Sequence, residues 1–257
     1  MLRLYNESKL TLTQVTEIFL TTESYLFRRT MCDLPTNALN KIFLMLHREI
    51  VRYDGTEDDY VEKFKYALLS KKERARFPDD VEFKVAFEER PVYLMNSKNK
   101  IYLLERFENF GTSEDKDVYR HCDDGTYSIE HIMPQHLTPV WQKELGDDYE
   151  QIHEEWLHRM ANLTLTAYNS KYSNSSFTEK KTMQNGFDDS GIRMNTWIAK
   201  KNKWTLAELE ERSEYLMGRA LSIWAAPVTE YKPEEKQLDT YLSLIHISEP
   251  TRLRCIS

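Results

Sequence analysis

Glycine and proline are scarce in this chain, with 7 and 8 among 257 residues. That scarcity argues against a turn-rich all-β fold and for long helices. No run of 18 apolar residues occurs, so nothing in the sequence reads as a membrane span. The opening MLRLYNESKL lacks the basic-then-apolar layout of a signal peptide. The three cysteines, Cys32, Cys122 and Cys255, share no close spacing, which argues against a disulfide framework and for a cytoplasmic location. Glycine-rich phosphate loops are missing as well. What is present is a chain with 40% apolar and 30% charged residues, enough to bury a core.

The net charge of −7 does not suggest a nucleic-acid partner, but the charge is segregated. His158 to Trp204 holds eight Lys/Arg against three Asp/Glu, and Thr205 to Tyr241 holds four against eight. By charge alone the basic stretch reads equally well as a solvated face.

The first half reads as helical. Thr11-Leu-Thr-Gln14 fits a capping box, followed by apolar residues at Val15, Ile18 and Phe19. A second helix is expected from Pro35 through Ile50, and a third carrying Tyr60, Phe64 and Leu68. Two shorter helices carry Phe83 and Phe87, then Tyr102 and Leu103. These stripes read as core rather than as a cofactor box. The pattern then changes. Tyr127 to Ile132 and Leu163 to Thr166 read as short strands. Between them, Thr138 and Pro139 open a helix expected to continue through Trp156. Ser176-Phe-Thr-Glu179 and Thr205-Leu-Ala-Glu208 are further capping boxes, the second followed by a face of Leu209, Leu216, Ala220 and Ile223.

The chemistry-bearing stretch is Ser128-Ile-Glu-His-Ile-Met-Pro134, then Asn162-Leu-Thr-Leu-Thr-Ala-Tyr-Asn-Ser170, then Asn174. Phosphodiester hydrolysis needs a group to take a proton from attacking water, and a neutral imidazole does so near pH 7. It also needs a cation for the phosphate and leaving oxygen, and hard Mg²⁺ favours oxygen ligands. A strand-borne Glu-His pair and a helix-borne Asn amide oxygen can supply both. Taken singly, a His after a strand is usually a surface or core residue, and the Asn residues could be turn formers. His121, Cys122, His136 and His153 lack the paired spacing of a zinc site. The five tryptophans read as core.

Together these residues resemble the C-terminal nuclease domain of GmrSD-type restriction endonucleases, a branch of the HNH or His-Me finger superfamily. The likeness runs through Glu130-His-Ile-Met-Pro-Gln135, His158-Arg-Met-Ala-Asn-Leu-Thr-Leu-Thr166, Tyr168-Asn-Ser-Lys-Tyr-Ser-Asn174 and Phe177-Thr-Glu-Lys-Lys181. It extends to Phe27-Arg-Arg29, Pro35-Thr-Asn37 and Phe77-Pro-Asp-Asp80 in the part that precedes such domains. Ala161 stands where the family often has Gly.

The resemblance implies an α+β, mainly α fold: a helical region over 1–118, then a ββα-metal nuclease core with helical insertions over 119–226. Residues 227–241 would be a linker or truncated native tail. It implies an endonuclease that hydrolyses DNA with Mg²⁺ or Mn²⁺, acting in restriction of modified phage DNA. The alternatives are a catalytically inactive binding module or a nuclease acting on RNA. His131 would be the general base and Asn162 would hold its loop or ring. Asn169 and Glu130 would be metal ligands, with His158 and Asn174 supporting the site. Lys171, Lys180 and Lys181 would touch DNA phosphates. Family members usually carry an upstream nucleotide-binding domain, so a nucleotide would act only through a segment absent from this chain, whose Met1 is then expected to be internal.

Residues 242–257, from Leu242-Ser-Leu-Ile-His-Ile-Ser-Glu-Pro-Thr-Arg252 onward, resemble the translation of a sequencing-library adapter rather than native protein. His246 and Cys255 therefore carry no function, and the natural protein is expected to continue differently past Tyr241.

Overall fold

A computed structural model of the chain describes residues 2–168 and 172–234. Asn169, Lys171 and the tail over 242–257 fall outside these residues.

Among the described residues two compact units form, one from residues 2–79 with 224–234, the other from Asp80 to Ile223. The expected division at residue 118 differs from this boundary, because residues 80–118 pack into the second unit.

The first unit is helical. Its elements are α1 (Leu2–Asn6), α2 (Leu12–Met31), α3 (Leu39–Arg52) and α4 (Tyr60–Leu69). Thr11 caps α2, and the Gln14 side chain closes a reciprocal box on the Thr11 backbone. One face of these helices builds a core of Val15, Ile18, Tyr25, Leu46, Ile50, Phe64 and Leu68. Helix α3 starts at Leu39, four residues after the expected Pro35. The Pro35 carbonyl instead accepts from the Arg29 guanidinium at 2.7 Å. Neighbouring Arg28 donates to the carbonyls of Trp224 (2.7 Å) and Pro78 (3.1 Å), and Phe27 stacks on Trp224 at 3.9 Å. The Phe-Arg-Arg motif thus ties three separated segments of this unit together.

The second unit contains α5 (Asp80–Glu89), α6 (Ser97–Glu108), α7 (Val118–Asp123), β1 (Ser128–His131), α8 (Pro139–Leu145), α9 (Tyr149–Trp156), β2 (Leu163–Thr166), α10 (Phe177–Thr182), α11 (Asn195–Ala199) and α12 (Leu206–Ile223). Strands β1 and β2 pair antiparallel, with His131 opposite Leu163 and Glu130 opposite Thr164. The helix expected from Thr138 through Trp156 breaks in two at Gly146. A positive φ of 86° there suits glycine alone among common residues and ends α8. Ser176 and Glu179 form the expected capping box at the start of α10. The core joins Ile132 and Met133 to Trp141, Trp156, Phe177, Trp204 and Leu209. The tryptophans therefore act in packing, as their sequence context implies. No helix among the described residues is long and apolar enough to cross a membrane.

Candidate active site

The end of β1 carries the site. Alternation along a strand sends Glu130 and His131 to opposite sides, yet both border one cleft, because the chain turns away at Ile132. The cleft has a volume of about 270 Å³ and is lined by Tyr93, Glu130, His131, Gln135, Ser173 and Asn174 among others.

His131 is buried except for this opening. Its Nε2 lies 3.2 Å from His158 Nδ1, and its Nδ1 lies 3.4 Å from Gln135 Nε2. The Tyr93 ring meets it edge-on at 4.4 Å. Burial first, and then the positive potential of His158, Lys180, His153 and Lys100, lower its pKa to about 3. The imidazole is therefore neutral at pH 7.

Glu130 has a different environment. Its Oε1 receives the Lys180 ammonium at 2.6 Å, and both side chains are buried. Lys180 also donates to the carbonyls of His131 (2.8 Å) and Ile132 (3.1 Å), so its three N–H bonds are all used. Desolvation dominates for both partners, pushing the Glu130 carboxyl up and the Lys180 ammonium down despite their mutual attraction. The phosphate contact expected of Lys180 is corrected here: a cation with no exposed surface cannot reach DNA, and it serves instead to hold the turn after His131. Lys181 is half-buried and donates to the Lys201 carbonyl at 2.7 Å.

Asn162 is fully buried, and its side-chain hydrogen bonds go to Met133, Leu157 and Trp204 rather than to the His131 ring. Its Oδ1 accepts from the Met133 N–H at 2.8 Å, and its Nδ2 donates to the Met133 and Leu157 carbonyls at 2.9 and 3.1 Å. Of the two roles expected for it, this is the loop-holding one, so Asn162 is a positioning residue rather than a catalytic one. The Arg212 guanidinium in turn donates to the carbonyls on either side of it, Ala161 (2.7 Å) and Leu163 (2.9 Å).

The tertiary structure thus brings Glu130, His131, His158 and Asn174 together, with Asn162 beneath them. Tyr93 had no signal of its own in the sequence. It reaches the cleft because its N–H bonds the His158 carbonyl at 3.1 Å. Gln135 lay within the Glu-His-Ile-Met-Pro-Gln motif, where position alone could have flagged it.

The donor set available to a divalent ion can be judged from these side chains. Among the described residues no group of three or more His, Cys, Asp or Glu is gathered as in a protein-walled metal cage. Lys180 occupies only one Glu130 oxygen, and the Asn174 side chain borders the same cleft. Oxygen donors in small number fit a hard ion that keeps part of its water shell.

A hairpin ending in an imidazole over a polar cleft, backed by helices, is an arrangement suited to a hydrolase. The comparison with known families is specific: residues 77–219 match the GmrSD restriction endonucleases, C-terminal domain, and the chain belongs to that family. The match begins ahead of α5 and so takes in Tyr93 as well as the hairpin. No curated protein matches the chain.

Proposed function

We propose that the chain is a metal-dependent endonuclease of the His-Me finger type that hydrolyses DNA phosphodiester bonds, with His131 as general base. The observation that carries this reading is a neutral imidazole at the mouth of a polar cleft, beside a carboxylate oxygen that its lysine partner leaves free. His131 Nδ1 takes a proton from water as the water oxygen bonds to phosphorus. The bond from phosphorus to the 3′ oxygen breaks, and that oxygen leaves to be protonated by solvent.

An imidazole so disfavoured as a cation is a weak base in the free protein. A phosphate anion entering the cleft offsets the positive potential of Lys180 and Lys100 and raises its proton affinity, so base strength develops when substrate binds. Glu130, Asn169 and, in support, Asn174 would hold Mg²⁺ or Mn²⁺. Such an ion supplies charge neutralisation at the phosphate and at the leaving oxygen. Lys171 and Lys181 would meet backbone phosphates, which gives affinity without sequence information. Restriction of modified phage DNA in the cytoplasm, with recognition in an upstream nucleotide-binding domain, is the biological role this reading supports.

The test is cleavage of DNA against Mg²⁺ concentration. His131→Ala should lose about 10²–10⁴ in rate, and added metal should not rescue it. Asn169→Ala should recover part of its rate at high Mg²⁺, because an amide oxygen can only donate a lone pair to the ion. Cleavage by His131→Ala at the parent rate refutes the assignment.

A further inference from the structure

We propose that His158, as acceptor at Nε2, and Gln135, as donor at Nδ1, are the positioning residues that together set the tautomer of His131, with Tyr93 as the plate that orients both rings. The inference rests on the reading of His131 as general base.

An imidazole can take a proton from water only through a nitrogen that carries a lone pair. Its other nitrogen must then hold the ring proton, and that proton needs an acceptor when buried. The two nitrogens of His131 have different neighbours. Nδ1 faces the Gln135 amide nitrogen, a donor, at 3.4 Å on the cleft side. Nε2 faces His158 Nδ1 at 3.2 Å on the protein side. A donor opposite Nδ1 requires the lone pair there, so Nε2–H donates to His158 Nδ1. His158 then carries its own proton on Nε2. In the opposite tautomer an N–H would oppose the Gln135 N–H, and no lone pair would face the cleft.

The arrangement works only if His158 keeps its Nδ1 pointed at His131. Tyr93 holds it there in two ways. Its ring lies nearly parallel to the His158 ring, with centroids 5.3 Å apart and planes 11° apart, which hinders rotation of the imidazole. Its N–H binds the His158 carbonyl at 3.1 Å. The same ring meets His131 edge-on at 63°. Tyr93 is itself fixed by Lys100, whose Nζ donates to the Tyr93 carbonyl at 2.9 Å and lies 4.7 Å from the ring centre. Tyr93, from the segment ahead of β1, thus holds His158 where its Nδ1 can accept from the base.

The test uses the full chain and two readouts. Imidazole ¹⁵N shifts at neutral pH report which His131 nitrogen carries the proton, independently of any cleavage. DNA cleavage with Mg²⁺ reports kcat and KM. His158→Phe keeps a ring against Tyr93 and removes the acceptor, while His158→Asn places an amide oxygen near the position of Nδ1. The parent should show the Nε2–H form. His158→Phe should show a mixture and lose on the order of 10–10²-fold in kcat, the usual cost of removing a partner that orients a functional group, with KM for DNA unchanged. His158→Asn should restore the Nε2–H form and most of the rate. Should Phe not fit, His158→Leu removes the same acceptor with less bulk. An unchanged tautomer in His158→Phe or His158→Leu overturns the proposal, as does failure of His158→Asn to restore the Nε2–H form. A parent protein that does not cut DNA overturns the nuclease reading instead and leaves the tautomer result to stand by itself.

Discussion

At the scale of single residues, burial decides more than charge. His131 is driven to its neutral form mainly by loss of water, and this has a thermodynamic consequence. In the unfolded chain the same imidazole titrates near ~6.5, whereas in the fold its pKa lies at about 3. Between these values the unfolded state binds the extra proton, so stability falls as pH drops through that window. His131→Gln should therefore lose less thermal stability than the parent between about pH 6.5 and 5, measured by parallel melts. Identical pH slopes would show that the ring is not desolvated. Lys180 makes the opposite case. Removing its ammonium leaves Glu130 and two carbonyls unpaired in the interior. Lys180→Met should cost roughly 3–5 kcal/mol in urea unfolding, and adding Glu130→Gln should recover part of it. A cost near zero would mean that the ammonium reaches solvent and is free to meet DNA after all.

At the scale of elements, the hairpin and its following loop behave as one piece because Asn162 joins them. The residue sits just before β2 and holds Met133, two residues past His131, through both its backbone N–H and its carbonyl. Asn162→Ala leaves these groups without partners, at about 1–3 kcal/mol, and frees the loop that aims His131. We expect lower stability by that amount and a lower kcat, with the Mg²⁺ dependence of the parent, which separates loop-holding from metal ligation. A shifted Mg²⁺ dependence would place Asn162 among the ligands. This element was largely readable in advance. Both strands, the box at Ser176 and the box at Thr11 follow from local patterns that need no distant contact. Two details were not readable. The break at Gly146 divides a helix whose apolar pattern runs on past it, and the delayed start of α3 depends on Arg29 capturing the Pro35 carbonyl.

At the scale of the whole molecule, residues 80–223 carry both strands, the cleft and the helices whose apolar residues form the core behind them. A fragment of those residues should therefore unfold cooperatively by itself and keep the His131 ¹⁵N signature of the full chain. A fragment that stays unfolded would show that the boundary at Asp80 is not a folding boundary. The sequence by itself determined the family and the helical character, and marked His131 as the candidate base, because these rest on residues close together in the chain: Glu130-His131, Asn162 and the capping boxes. Only the tertiary structure decided what surrounds His131. Tyr93, 38 positions before His131, gives no local sign of a role, and a lysine in a basic stretch reads as a phosphate contact until the fold buries it against Glu130. The physical reason is that desolvation and hydrogen-bond pairing are set by neighbours in space. Residue type and spacing specify which groups can do chemistry, and packing specifies which of them remain free to do it.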